Sequence, residues 1–127
     1  MVDPTGPAGP PLTVTVTRPA PAVCLVRLTG DLDVTTAPLL ARSLREHTAG
    51  RPRHLVLDLS AVRLLAATGV GLIVGAQRNR DGVHGRLHLT GVTGNRAVER
   101  VLGLTGVRPV LEVHDDVDAL LERLGRG

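Results

Sequence analysis

Phe, Tyr and Trp are all absent from this 127-residue chain. Any core must therefore be built from Leu, Val, Ile and Ala, and the aromatic platforms on which proteins stack unpaired bases are excluded. Lys is absent as well. The fifteen basic residues are all Arg, and Arg51, Arg53, Arg78, Arg80 and Arg86 fall in or near expected loops. The net charge of +3 thus comes without a basic stripe on any expected helix, and nucleic acid is not an expected partner. Cys24 is the single cysteine, so an intrachain disulfide is excluded. Its place in an apolar strand pattern makes it a buried, inert thiol suited to a reducing compartment. The longest nearly apolar run, Leu64 to Ala76, is too short and too broken by Gly to cross a bilayer, and no basic-then-apolar leader opens the chain. A cytoplasmic protein without membrane insertion is expected.

What is present centres on His54 to Ala76, HLVLDLSAVRLLAATGVGLIVGA. Leu55 to Leu59 is too continuously apolar for a half-exposed strand, so both its faces should be covered, as in a central parallel strand. Ser60 to Leu65 is expected to turn over the end of the sheet, with Thr68 as N-cap of a helix from Val70 to Asn79. The first amides of such a helix lack intrahelical partners and sit at the positive end of its dipole. That makes Ala66 to Gly69 the candidate functional site.

Around this stretch, residues 1–11 read as a Pro/Gly-rich disordered leader, 12–124 as one domain and 125–127 as a tail. Leu12, Val14 and Val16 alternate with Thr, the pattern of an edge strand with one wet face. After a break at Pro19 to Pro21, Ala22 to Leu28 forms a second strand ending in Thr29-Gly30-Asp31-Leu32-Asp33. Asp33, Thr35 or Thr36 then caps a helix on which Leu40, Ala41, Leu44 and His47 recur at helical spacing opposite Arg42, Arg45 and Glu46, and which stops at Gly50. Asp81-Gly82 turns into a strand at Gly85 to Thr90, Asn95 caps a helix through Leu102, Val110 to Val113 forms another strand, and a last helix buries Val117, Leu120, Leu121 and Leu124. Alternating strands and helices require crossovers. The expected fold is α/β, a mixed sheet of about five strands with four helices.

Three ordered segments resemble the STAS-domain family of anti-sigma factor antagonists. They are Leu28 to Asp33 with Thr36-Ala37-Pro38, then Val56 to Ser60 through Thr68 to Leu72, and finally Leu104 to Val107. The resemblance implies a single STAS-like domain that binds an anti-sigma factor with a serine-kinase fold, frees the sigma factor, and loses affinity once phosphorylated. The family's phosphorylated serine lies in a D-S-[ST]-G motif at the loop-to-helix junction. Here that motif reads Ala66-Ala67-Thr68-Gly69. Ala67 has no hydroxyl to accept a phosphoryl group. Thr68 keeps one, but a one-residue step turns a side chain by about 100° around a helix.

Two readings of the site stand side by side. In one, Asp31, Asp33, Ala66, Ala67, Thr68, Gly69 and Val70 form a partner-binding rim that no kinase can charge at residue 67. In the other, the alanines only pack, Asp33 and Thr68 only cap helices, and the module is a structural subunit of a signalling scaffold or transporter-associated complex. A nucleotide or small-molecule sensor rests only on the helix N-terminus as an anion site. Gly71 and Gly75 share a helix face and suggest close approach of a neighbouring helix. No nucleophilic triad, phosphate-binding loop or dinucleotide fingerprint is present, so neither catalysis nor a cofactor is expected. His84 and His88 share strand parity but lack a neighbouring cluster of Cys, Asp or Glu, so no metal is expected. His47 and His114 read as solvent-edge residues.

Overall fold

A computed structural model describes residues 11–50, 52–82 and 85–126, without the side chains of 81, 82 and 126. The expected leader, apart from residue 11, lies outside the described residues, as do Arg51 and His84. Strand β1 (Leu12–Ala20) turns at Pro21-Ala22 into β2 (Val23–Leu32). Helix α1 (Ala37–His47), β3 (His54–Leu65), α2 (Ala67–Gly82), β4 (Arg86–Thr90) and α3 (Arg96–Thr105) follow. A 3₁₀ turn at Arg108–Val110 leads to α4 (Val117–Arg126). The sheet order is β1-β2-β3-β4, with β1 antiparallel to β2 and the other two pairs parallel.

Among the described residues the sheet has four strands, not about five. Pro109 fixes its own φ and has no N–H, and Arg108 to Val110 wind into the 3₁₀ turn instead of pairing. What remains of the expected strand is one parallel bridge between Leu89 and Val113. The Leu89 N–H donates to Glu112 O at 2.8 Å, and the His114 N–H donates to Leu89 O at 2.9 Å.

The central strand is also longer than expected. Ser60 to Leu65 do not turn, because β2 runs past Gly30 and offers pairs from Thr29↔Ala61 to Leu32↔Leu65. Two register shifts between β2 and β3, each with the extra residue on β3, absorb the irregularity. One lies beside Asp58, whose Oδ1 accepts the Ser60 N–H at 3.2 Å while Oδ2 lies 3.4 Å from Arg27 Nε. With β3 extended, α2 starts at Ala67, and the Ala66 carbonyl accepts the N–H groups of Gly69 and Val70. Thr68 therefore sits inside the first turn and is not the cap. The helix continues through Gly82, past the expected turn.

Alternation along the strands sorts the core onto two faces. Cys24, Val26, Leu28, Leu55, Leu57 and Leu59 pack with Leu40, Leu44, Ile73, Val98 and Leu102 in the main cluster under α1, α2 and α3. Burial pushes the Cys24 thiol pKa up, against the opposing charges of Arg18 and Arg80. On the opposite face Val23, Leu25 and Val56 meet Leu120 of α4 in a second, smaller cluster.

Candidate functional site

The site forms where β2 and β3 end side by side. Gly30 adopts φ +110°, and a Cβ there would stand 2.1 Å from Pro11 O, so Pro11 can lie across β2 only over a glycine. The Asp31 N–H donates to Pro11 O at 2.7 Å. Asp31 pairs in register with Leu64 and lies 3.4 Å from Arg63 Nη2, an exposed ion pair of little energetic weight.

Asp33 folds the next turn onto itself. Its Oδ1 accepts the Thr35 hydroxyl at 2.6 Å, the Thr35 N–H at 2.9 Å and the Thr36 N–H at 3.1 Å. The Thr35 hydroxyl is the main reason its pKa is held below the usual carboxylate value, and the Thr35 and Thr36 amides act in the same direction. The Thr36 hydroxyl donates to Asp31 O at 2.8 Å and accepts the Asp33 N–H at 3.0 Å. Thr36 holds the cap position of α1 without a side-chain cap bond, so Asp33 organises the approach to the helix without itself being the cap residue.

The Ala66 N–H donates to Leu32 O at 2.9 Å, which fastens the start of α2 to the end of β2. Asp31, Asp33 and Ala66 are half-buried, and Ala67 and Thr68 are exposed. Gly69 and Val70 do not belong to the rim. Val70 is only 4% exposed, and Gly69 lies under Leu32 and Leu65, where a Cβ would stand 2.7 Å from Leu32 Cγ. Two neighbours missed in the sequence are apolar and exposed: Val34 at 68%, in the turn after Asp33, and Leu64 at 48%, opposite Asp31. An exposed Leu one pair before the end of a strand was hidden by the expectation of a turn there.

A second group was also missed. His54 and His88 lie on the α4 face of the sheet, and the bridge at Val113 brings Glu112 and His114 beside them. His88 Nε2 stands 3.0 Å from His54 Nδ1, and His88 Nδ1 stands 3.2 Å from His114 Nε2. His114 Nε2 is 2.9 Å from Glu112 Oε2, which also pairs with His88 Nδ1, while Glu112 Oε1 pairs with Arg86. Burial pulls the His88 pKa down to about 4 against the opposing charge of Glu112. Burial, then Arg53 and Arg86, lowers that of His54. The expectation that His88 has no carboxylate near it does not hold. The available signal was Glu112-x-His114, whose spacing puts both side chains on one side of an extended segment.

No described helix is long and apolar enough to cross a membrane. The family model described as "Mlab, STAS domain" matches residues 15–123. An anti-sigma F factor antagonist of Paenibacillus polymyxa is 29% identical over 102 residues, 79% of this chain and 86% of that protein. An anti-sigma-B factor antagonist of Staphylococcus aureus is 27% identical over 93 residues, 73% of this chain and 84% of that one. The crystal structure of an anti-sigma factor antagonist from Mycobacterium paratuberculosis superposes with a TM-score of 0.76 at 26% identity, covering 91% of this chain and 95% of that one. A single α/β domain with β1 antiparallel at the edge, α2 rising from the end of β3 and a family match over nearly its whole length belongs to the STAS domain family.

Proposed function

We propose that this protein is a cytoplasmic binding module that docks an anti-sigma factor of serine-kinase fold and accepts no phosphate at residue 67. It works by contact and carries out no catalysis. The observation that carries the reading is the exposed methyl group of Ala67 at the tip of α2, where the family motif has an alcohol. A phosphoserine there would add about −1.5 to −2 charges to a rim otherwise formed by Ala66, Thr68, Val34, Leu64 and the half-buried Asp31 and Asp33. With a methyl group, the rim keeps its uncharged tip, and any regulation must act elsewhere. The antagonist names of the relatives at 26–29% identity support the choice of partner.

The test uses the full chain and an anti-sigma kinase from the same genome. Size-exclusion chromatography with ADP should give a complex. After incubation with ATP, intact-mass spectrometry should find the wild-type chain unmodified and the Ala66→Asp/Ala67→Ser double variant phosphorylated. Absence of a complex, or stoichiometric phosphate on Thr68, would overturn the proposal. Co-purification with a membrane transporter or a large scaffold in place of a kinase would favour the structural-subunit reading.

A further inference from the structure

We propose that His88, Glu112 and His114 bind one divalent transition-metal ion of the zinc type through two imidazole nitrogens and one carboxylate oxygen. The three donor atoms are His88 Nδ1, His114 Nε2 and Glu112 Oε2, all within 4.8 Å of one another. His88 Nδ1 and His114 Nε2 are 3.2 Å apart, and His114 Nε2 and Glu112 Oε2 are 2.9 Å apart. Bonds of about 2.0–2.1 Å in a tetrahedral site place neighbouring donors roughly 3.3 Å from each other. The three donors are therefore already gathered, but their triangle is smaller than one face of a zinc coordination shell, the contact between His88 Nδ1 and Glu112 Oε2 being its shortest edge, and it must open to admit the ion. Two histidines and one glutamate with a fourth position left to water are an established zinc donor set.

The surrounding residues suit the same assignment. If His88 uses Nδ1 as a ligand, its ring proton lies on Nε2 and is donated to His54 Nδ1 at 3.0 Å, the outer contact that orients metal-bound imidazoles. Arg86 pairs with Glu112 Oε1, which leaves Oε2 for the ion. Arg123 Nη2 approaches His114 Nδ1 at 3.3 Å. Ligation by Nε2 moves the His114 ring proton to Nδ1, so the exposed Arg123 must swing aside on binding.

The placement also gives the ion something to do. His88 belongs to β4, whereas Glu112 and His114 belong to the segment leading into α4, which the backbone joins to β4 by a single bridge. A shared ion would staple that segment to the sheet and so fix the root of α4.

Tag-free full-length protein, stripped with chelator and desalted, would be titrated with Zn²⁺ by calorimetry and with Co²⁺ by visible absorption. One equivalent of Zn²⁺ should bind, Co²⁺ should develop the intense bands of four-coordinate geometry, and saturating Zn²⁺ should raise Tm by about 5 °C or more. The Glu112→Gln/His114→Gln variant leaves the buried His88 in place, and far-UV circular dichroism reports that it is folded. It should bind at least about 100-fold more weakly and lose the Tm shift. Failure of the wild-type chain to bind saturably, or equal stoichiometry and affinity in the folded variant, would overturn the assignment and leave a hydrogen-bonded polar cluster.

Discussion

Gly69 and Gly75 lie on the same helix and are separated by what surrounds them. A Cβ on Gly69 would stand 2.7 Å from Leu32 Cγ and 2.9 Å from Leu65 Cδ1, two fully packed side chains at the ends of β2 and β3. A Cβ on Gly75 would meet nothing within 4 Å. Gly69→Ala should therefore destabilise the fold by about 1–3 kcal/mol through overpacking. Gly75→Ala should stabilise it by about 0.5–1 kcal/mol, because alanine loses less backbone freedom in a helix. Urea unfolding followed by circular dichroism, the suitable probe for a chain without Trp or Tyr, measures both, and shifts of the same sign would refute the contrast. The spacing of Gly71 and Gly75 suggested a close helix approach. Gly71 likewise has open space where its Cβ would be, and of Gly69, Gly71 and Gly75 it is Gly69 that admits a neighbour. A glycine in a sequence marks permission for close contact, and only the packed neighbours reveal whether it is used.

At the scale of elements, Asn95 was legible and Thr68 was not. Asn95 accepts the Val98 N–H at 3.4 Å as the N-cap of α3. Its amide also donates to Leu59 O at 2.9 Å and Val62 O at 3.0 Å, so the cap ties α3 to the extended half of β3. Asn95→Ala should cost about 1–2 kcal/mol, the upper part of the range for a lost cap, because two strand carbonyls lose a donor as well. A loss below about 0.5 kcal/mol in urea unfolding would mean that water replaces those bonds freely. The Asn-before-amphipathic-run signal is local, and local signals survive folding. Where α2 begins depends instead on where β3 ends, which β2 decides by pairing through Leu32↔Leu65. The fifth strand failed in the opposite sense. Val110 to Val113 has a strand composition, but its neighbour Pro109 and the 3₁₀ turn leave only Val113 to bridge.

Over the whole molecule, the two faces of the sheet are covered unequally. Three helices cover the main cluster, whereas α4 supplies Leu120 to a cluster of Val23, Leu25 and Val56. Leu120 is 2% exposed and Leu104 is 76% exposed. Leu120→Ala should cost about 2–5 kcal/mol, as a cavity left in a core does. Leu104→Ala should stay within about 0.5 kcal/mol of wild type, and a large loss there by thermal or urea denaturation would show that its exposed position in isolation is misread. The class of fold, the crossover order, the apolar faces of the strands and the missing hydroxyl at residue 67 follow from the sequence alone, because periodicity and side-chain identity are properties of the chain itself. The buried placement of Gly69 and Val70, the exposed Val34 and Leu64, and the meeting of His54, His88, Glu112 and His114 were decided by tertiary structure. Each depends on strand register and end points, and those are set by pairing between segments distant in sequence.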